Sequence, residues 1–205
     1  LIANFKYKYH SELHKPCNDV IEIAKILKKL NFHVITLMNL TLVEMHNAVQ
    51  LFCELLPSKS YGFFYYGGHG YEIFNNKFMM PVDCPDSSTF RMADCFCDLH
   101  LIQMAMKNTK LRLLVIILDM CLKIPDRAEN PNIYQERTPD FNYTPNPKCN
   151  LVQANATSSY LCAYENPGEE YGLYVNSLRK YLSSDVPITE CLQHVNEGMI
   201  THYMV

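Results

Sequence analysis

One apolar run limits the possible folds of this chain more than any other feature. Residues 111–123 are LRLLVIILDMCLK, and seven of the first eight are apolar. Because an amphipathic helix would show a polar residue at every third or fourth position, the pattern predicts a strand covered on both faces, as in a parallel sheet. Asp119 and Cys121 follow at the carboxyl end, where open α/β sheets bind their ligands. Cys121 is therefore a candidate nucleophile.

A second strand-like segment supplies a candidate base for this thiol. The aromatic run SYGFFYY at residues 60–66 leads directly into the loop GGHG, which contains His69. Glycines allow main-chain conformations that other residues avoid, and they let a substrate approach the main chain closely. If the two strands are parallel, His69 and Cys121 lie at the same edge of the sheet. His69 also precedes Cys121 by about 50 residues, the spacing between the histidine and the cysteine of caspases.

An ordered series of segments along almost the whole chain resembles the caspase-like cysteine peptidases, and within them the paracaspases. The series comprises LIANFKY at residues 1–7, a helical pattern at 16–30, LTLVEMHNAV at 40–49, YYGGHGYE at 65–72, FMMPVD at 78–83, CFC at 95–97 and LLVIILDMC at 113–121. The resemblance implies an α/β fold of the caspase-like three-layer sandwich type, with a mainly parallel central sheet and helices on both faces. It also implies a cysteine endopeptidase acting in intracellular signalling, in the NF-kappa-B pathway.

The same resemblance implies the catalytic groups. His69 would accept the proton of Cys121, the thiolate would attack a peptide carbonyl, and the imidazolium would protonate the leaving amine. The main-chain N–H groups of Gly70 and Cys121 would form the oxyanion hole. Two plainer interpretations stay open: Cys121 as a buried thiol, and His69 as a loop histidine with only local hydrogen bonds.

Acidic residues near Cys121 predict the substrate. Asp119 lies two positions before Cys121, so on a strand both side chains point to one face. A carboxylate beside a thiol raises the pKa of the thiol, and an arriving cation relieves this conflict. In paracaspases three acidic residues bind the substrate arginine, and register assigns them to Asp19, Asp119 and Glu165. The main chain near Ala163 would pair with the extended substrate by β-addition.

Two of these assignments also have plainer interpretations. Asp19 would complement the helix dipole at the start of a predicted helix, and Glu165 would be a solvated loop carboxylate. The chain also departs from the family pattern directly after the nucleophile. The family usually carries a basic residue at that position, whereas here Leu122 precedes Lys123.

No metal or other cofactor is expected. Cys95, Cys97 and His100 lack a clear fourth ligand for a structural zinc site. Calcium dependence is not expected either. The four acidic residues that raise the question lack the regular alternation of an EF-hand loop: Asp83, Asp86, Asp94 and Asp98.

Composition narrows the class of protein further. The formal net charge of −3 gives no electrostatic footprint for nucleic acid, and no apolar run approaches the roughly 18 residues of a membrane span. The nine cysteines are odd in number, and several lie in apolar runs, which favours free thiols in a reducing compartment. A soluble cytoplasmic protein that binds neither nucleic acid nor membrane is the expectation.

Alternating strand and helix patterns predict parallel strands within one domain over residues 1–205. Strands are predicted at residues 1–5, 32–37, 60–66, 71–74, 77–80, 111–118 and 151–156. Helices are predicted at residues 16–30, from the cap Thr41 to about 55, 99–107, 171–182 and 188–203. Asn75 and Asn76 are expected to form a two-residue hairpin loop. Five prolines predict a mobile loop over residues 122–149, and the start at Leu1 within a strand suggests a fragment of a longer multidomain protein.

Three classes of function remain open at this stage. The first is an endopeptidase that cleaves signalling proteins after arginine, binds signalling scaffold proteins and forms a homodimer in its full-length form. The second is a catalytically silent caspase-like scaffold for protein interaction. The third is a calcium-dependent, metacaspase-like peptidase.

Overall fold

A five-stranded parallel sheet forms the centre of the computed structural model, which describes residues 1–107, 111–135, 150–157 and 168–203. The strands of the described residues are β1 (Ile2–Ala3), β2 (Leu37–Met38), β3 (Tyr61–Gly67), β4 (Gly70–Ile73), β5 (Asn76–Met79), β6 (Phe96–Cys97), β7 (Leu113–Asp119) and β8 (Leu151–Asn155). The α-helices are α1 (Pro16–Lys29), α2 (Leu42–Leu55), α3 (Asp98–Lys107), α4 (Leu173–Tyr181) and α5 (Ile188–Tyr203). Within the described ranges, no helix combines the length and the hydropathy needed to cross a membrane.

The order of the strands places the two longest ones at the centre. The order is β2-β1-β3-β7-β8, and every neighbouring pair is parallel. β3 and β7 are paired over their full lengths, from Tyr61 with Leu113 to Gly67 with Asp119. The carboxyl ends of both strands therefore lie side by side, as the sequence predicts.

Side chains on the central strands alternate between two helical layers. Phe64 and Ile116 pack with α2 and α3 on one face, whereas Tyr65 and Ile117 pack with α1, α4 and α5 on the other. Since successive side chains of a strand point to opposite faces, both faces of an almost wholly apolar strand can be buried. This arrangement confirms the predicted three-layer α/β sandwich.

A small antiparallel sheet, β4-β5-β6, follows the GGHG loop. The hairpin turn is displaced by one residue from the prediction, because Phe74 and Asn75 have the positive φ angles (51° and 63°), whereas Asn76 pairs with Ile73 as the first residue of β5. The register buries Tyr71 and Ile73 in the core of this sheet. Burial of these side chains therefore determines the turn, and the local preference of an Asn-Asn pair does not.

The first two strands are much shorter than predicted. β1 has two residues, and beyond it the N–H groups of Phe5 and Lys6 donate to the Asn39 side chain, at 3.0 and 2.9 Å, rather than to a neighbouring strand. The buried Asn4 side chain links this end of β1 to other segments: its Nδ2 donates to the Met80 carbonyl at 3.0 Å, and its Oδ1 accepts from the Leu40 N–H at 2.8 Å. Of the predicted strand at residues 32–37, only Leu37 is in a strand, and β2 continues to Met38.

The segment after Cys121 is described up to residue 135. Asp126 organises a turn by accepting hydrogen bonds from the main-chain N–H groups of Ala128 and Glu129. Ile133 is buried against the small sheet, and Asn132 donates to the Thr89 carbonyl at 3.0 Å. The rest of the predicted loop, residues 136–149, lies outside the described residues.

Candidate active site

The two loops predicted to carry the reactive groups leave the sheet from adjacent strands. Gly67 ends β3 and Asp119 ends β7, and the N–H of Gly68 donates to the Asp119 carbonyl at 3.3 Å. His69 and Cys121 each lie two residues beyond these strand ends. Both line the same pocket at the sheet edge, and Cys121 is half-buried there. The structure therefore brings together the two residues that the sequence singles out.

Two tyrosines fix the main chain of His69. The hydroxyl of Tyr7 accepts a hydrogen bond from the His69 N–H at 2.7 Å, and the hydroxyl of Tyr66 donates to the His69 carbonyl at 2.7 Å. A Cβ on Gly68 would approach both hydroxyls to 2.6 Å, so only glycine fits between them. The Tyr66 hydroxyl also lies 2.8 Å from the Met80 carbonyl, which ties this loop to the end of β5.

The ring of His69 is oriented by a main-chain carbonyl. Nε2 of His69 lies 2.8 Å from the carbonyl oxygen of Ser11. Since a carbonyl can only accept a hydrogen bond, this contact requires the proton on Nε2 and leaves Nδ1 as the basic atom. The Tyr7 ring packs 4.6 Å from the imidazole centre, and burial raises the pKa of Tyr7, which keeps its hydroxyl neutral. Sequence reasoning missed Ser11 and Tyr7, because they lie in a polar segment without periodicity.

The main chain at Gly70 is positioned by the small sheet. The Met80 N–H donates to the His69 carbonyl at 3.0 Å, so these two residues occupy a hydrogen-bonding position of the ladder, although the His69 N–H donates to Tyr7. Because such positions alternate along an antiparallel ladder, the next pair, Gly70 with Met79, is of the non-hydrogen-bonded type, and the Gly70 N–H points away from β5. A Cβ on Gly70 would overlap the sulfur of Met120, so the histidine and nucleophile loops are in close contact.

Leu122 accounts for the path of the chain after the nucleophile. Its side chain is only 1% exposed and belongs to the core cluster that contains α2 and α3, whereas Lys123 is exposed. The apolar residue that departs from the family pattern therefore anchors this loop in the core. Thr157 supports the same loop by donating its hydroxyl hydrogen to the Met120 carbonyl at 3.1 Å.

Two of the three predicted acidic residues line this pocket. Asp119 lies at the end of β7, and its Oδ2 accepts a hydrogen bond from the Tyr65 hydroxyl at 2.9 Å. Asp19 lies in the first turn of α1, is 3% exposed, and its Oδ1 accepts a hydrogen bond from the Gly172 N–H at 2.8 Å. Burial, followed by the charges of Asp119 and Asp19, raises the pKa of Tyr65. The charges of both carboxylates therefore reach the same tyrosine, Tyr65, in the pocket wall. Asp19 also lies in the first turn of α1, where a negative charge complements the helix dipole.

The other predicted substrate-binding residues, Ala163 and Glu165, lie outside the described residues. Further residues of the pocket wall that sequence reasoning missed are Lys15, Leu173 and Tyr174. Lys15 donates to the main-chain carbonyl of Glu169. These three residues lie at the starts of α1 and α4. The pattern of apolar residues predicts the helices, but it does not indicate which side chains at their starts face a pocket.

The acidic residues considered for calcium binding instead make separate local contacts. Asp83 accepts from the Leu42 N–H, Asp86 from Ser88, Asp94 from the Arg91 N–H, and Asp98 from the Lys77 N–H and Gln153. Over the residues that the structure describes, no group of three or more histidine, cysteine or acidic residues is arranged to hold a metal ion.

The cysteines and the histidine considered for zinc binding also have different neighbours. The sulfur of Cys95 lies 3.7 Å from that of Cys84, and the Cys97 thiol donates to Asp98. The His100 ring contacts the rings of His46 and Phe96. These contacts direct the three side chains into packing rather than toward one point.

Comparison with known proteins adds a family and two relatives. The family model described as "Caspase domain" matches residues 1–203. Mucosa-associated lymphoid tissue lymphoma translocation protein 1 of Homo sapiens is 36% identical over 201 residues, which cover 97% of this chain and 23% of that protein. The homolog from Mus musculus is also 36% identical over 201 residues, with the same coverage. The chain therefore spans less than a quarter of the length of these relatives.

Proposed function

Because the chain belongs to the caspase-domain family of peptidases, we propose that it is a cysteine endopeptidase that cleaves signalling proteins after arginine, as a paracaspase does. The observation that carries this proposal is the composition of one pocket. Its walls include a thiol and an imidazole, Cys121 and His69, together with two carboxylates, Asp19 and Asp119. A nucleophile, a base and an acidic subsite are the parts that such a reaction requires.

The proposed reaction begins with proton transfer within the dyad. Nδ1 of His69 accepts the thiol proton of Cys121, and the thiolate sulfur attacks the carbonyl carbon of the scissile peptide bond. The N–H groups of Gly70 and Cys121 donate to the oxygen that becomes negative. When the C–N bond breaks, the imidazolium gives its proton to the leaving amine. Water, deprotonated by His69, then hydrolyses the thioester and restores the thiol.

The hydrogen bond to Ser11 has a defined part in this scheme. With Nε2–H directed at the Ser11 carbonyl, the imidazole presents Nδ1 to the thiol in each cycle. The carbonyl oxygen also stabilises the positive charge that the ring carries after the first proton transfer. Ser11 is therefore proposed as a positioning residue.

Substrate selection is proposed to depend on charge. A guanidinium offers five N–H donors in a planar fork, and two convergent carboxylates can bind and neutralise it. Asp19 and Asp119 supply these carboxylates, and we further propose Glu165 as a third and the main chain at Ala163 as a partner for the extended substrate. For the longer protein we propose signalling scaffold proteins as partners, homodimerisation and a cytoplasmic location.

A covalent probe tests the activity and the nucleophile together. The protein is treated with an arginyl peptide ketone that alkylates thiols, in the presence of a calcium chelator, and the adduct is located by mass spectrometry. We expect a single adduct on Cys121 and none with the matched aspartyl probe. Cys121→Ser and His69→Ala should abolish labelling. Cys17→Ser is the control, because Cys17 is also half-buried but lies outside the pocket wall.

The same experiment separates the alternatives. Absence of labelling, with a folded protein, would contradict the peptidase proposal and favour a silent scaffold. Labelling that requires added calcium would favour a metacaspase-like enzyme. Equal labelling by the arginyl and aspartyl probes would contradict the proposed substrate preference.

A further inference from the structure

Tyr174 has an unusual state for a buried tyrosine. It lies in the first turn of α4, its side chain is 2% exposed, and it lines the same pocket as Asp19 and Asp119. Its hydroxyl has no hydrogen-bond partner among the described residues. Because nearly all buried polar groups in proteins are paired, the unpaired hydroxyl of this pocket residue retains its capacity to donate and accept a hydrogen bond when a ligand enters.

Tyr65, on the same pocket wall, gives a direct contrast. The Tyr65 hydroxyl is committed to Asp119, to which it donates at 2.9 Å. The Tyr174 hydroxyl makes no such hydrogen bond among the described residues, although it is close enough to Asp119 to be affected by the charge of that carboxylate. Burial, with a smaller contribution from Asp119, raises the pKa of Tyr174, so its hydroxyl is neutral at physiological pH. It can therefore accept a hydrogen bond from a cation without adding a further negative charge to the pocket.

The start of α4 connects this hydroxyl to the rest of the acidic subsite. Gly172, the residue before α4, donates its N–H to Asp19, and Tyr174 follows two positions later. Part of the accepting capacity of Asp19 and Asp119 is already used within the protein, since they accept hydrogen bonds from Gly172 and Tyr65 respectively. A guanidinium with five donors thus gains from a further acceptor, whereas an ammonium with three donors has less need of it.

We propose that Tyr174 is a specificity-determining residue whose hydroxyl accepts a hydrogen bond from the substrate guanidinium and so favours arginine over lysine. This inference rests on the proposed function and names an additional contact within the same site. Tyr174 takes no part in the bond-breaking steps, so its contribution is to recognition of the side chain before the scissile bond.

The test compares two substrates that differ only in the basic residue. Values of kcat/KM are measured for matched arginyl and lysyl peptides with the wild type, Tyr174→Phe and Tyr181→Phe. Phenylalanine preserves the ring and removes the hydroxyl. Tyr181 lies on the same helix but outside the pocket wall, against His194, and provides the control. Labelling of Cys121 by iodoacetamide and the midpoint of urea unfolding are measured in parallel.

We expect Tyr174→Phe to lower kcat/KM for the arginyl peptide about tenfold, the usual effect of removing a hydrogen bond to a charged group, and to change the lysyl value by less than about twofold. The unfolding midpoint should not fall, since the hydroxyl makes no hydrogen bond within the described protein. Tyr181→Phe should leave the ratio of the two kcat/KM values unchanged.

The outcomes distinguish this inference from the proposal on which it rests. An unchanged ratio in Tyr174→Phe, or equal losses on both peptides, would overturn the inference while cleavage by the wild type leaves the peptidase proposal in place. Failure of the wild type to cleave the arginyl peptide, with Cys121 still reactive toward iodoacetamide, would overturn both.

Discussion

The position of His69 depends on two residues far from it in the chain, Tyr7 and Ser11, and on the nearby Tyr66. His69 is held at its N–H by Tyr7, at its carbonyl by Tyr66 and at its ring by the Ser11 carbonyl. Three independent contacts on one residue leave little freedom for its main chain or its ring. A ring fixed in this way would meet the thiol in one geometry, which would lower the entropic cost of the proposed proton transfer.

The first prediction concerns the carboxylate nearest the nucleophile in sequence. Asp119→Asn should lower kcat/KM for arginyl peptides by about 100-fold, because it removes one partner of a desolvated ion pair with the substrate. The fold should be retained, since the asparagine oxygen can still accept the hydrogen bond that Tyr65 donates to Asp119. Peptide kinetics and urea unfolding measure the two effects separately.

Asp86→Asn is the matched control for this substitution, because Asp86 is an exposed acid that organises a turn through Ser88. Its kcat/KM should match that of the wild type. If Asp119→Asn cleaved arginyl peptides as fast as the wild type, the acidic subsite would have to be abandoned. A large loss of stability would instead assign Asp119 a structural role.

The residues of the site differ in how well the sequence predicts them. Cys121 and His69 are predictable because each follows an apolar strand, and parallel strands end at one edge. Asp119 follows from its position two residues before Cys121. Ser11 and Tyr7 are not predictable in this way, since they reach the site through an irregular segment whose course depends on contacts with the folded sheet.

At the scale of single elements, α2 shows a local signal that determines structure. The predicted capping box is present: Thr41 Oγ1 accepts from the Glu44 N–H at 3.4 Å, and Glu44 Oε2 accepts from the Thr41 N–H at 2.8 Å. The hydrogen bond from the Thr41 N–H, and a second one that the Thr41 hydroxyl donates to Glu44 Oε2 at 2.8 Å, lower the pKa of Glu44. A carboxyl group with a lowered folded pKa stabilises the protein above its unfolded pKa, and this contribution is lost as the pH falls through the folded pKa.

The second prediction follows from this sign. Thr41→Ala should lower the free energy of unfolding by about 1 kcal/mol at pH 7, and Thr41→Ser should restore most of the loss. Glu44→Gln should be less stable than the wild type at neutral pH, and the difference should disappear under acid conditions. Urea unfolding at a series of pH values measures this. A difference that grows toward acid pH would contradict the assigned role of Glu44.

The hairpin between β4 and β5 shows the opposite case, in which packing overrides a local signal. Asn75 and Asn76 suit a turn, yet the turn residues are Phe74 and Asn75, because this register lets Tyr71 stack on Phe78 at 5.0 Å. Sequence patterns indicate that a hairpin exists. They do not reveal its register when two neighbouring turns differ by one residue, since the choice depends on which side chains the core accepts.

The third prediction uses the strain that this register imposes. Phe74 has a φ of 51°, which is unfavourable for a residue with a large side chain. Because Phe74 is 56% exposed, the packing of its ring does little to offset this main-chain strain. Phe74→Asn should raise the free energy of unfolding by about 0.5–1 kcal/mol, because asparagine adopts positive φ more readily. Phe74→Ala is the control for loss of the ring. Equal stability of the two variants would exclude strain at this position.

At the scale of the whole molecule, the central sheet and the small sheet contribute different parts of the site. β3 and β7 fix the starting points of both reactive loops, and they are buried between two helical layers. The small sheet holds the Gly70 main chain and is linked to the central sheet through the Tyr66 hydroxyl, which contacts the carbonyls of His69 and Met80. The proposed dyad is therefore anchored to the deeply buried central strands, whereas the proposed oxyanion donor at Gly70 depends on the less enclosed small sheet.

The last prediction is that these two parts differ in local stability. Main-chain amides of β7 and of the carboxyl end of β3 should exchange with deuterium only through global unfolding, because these segments have a paired strand on both sides and are covered on both faces. Amides of the β4–β5 hairpin should exchange through local opening at a lower free energy, and a covalent arginyl inhibitor on Cys121 should slow that exchange by binding the Gly70 main chain. Hydrogen exchange read by mass spectrometry over residues 61–79 and 113–119 tests both statements. If the hairpin of the free protein exchanged as slowly as the central strands, the oxyanion donor would be as rigid as the dyad, and the inhibitor would have no local opening to suppress.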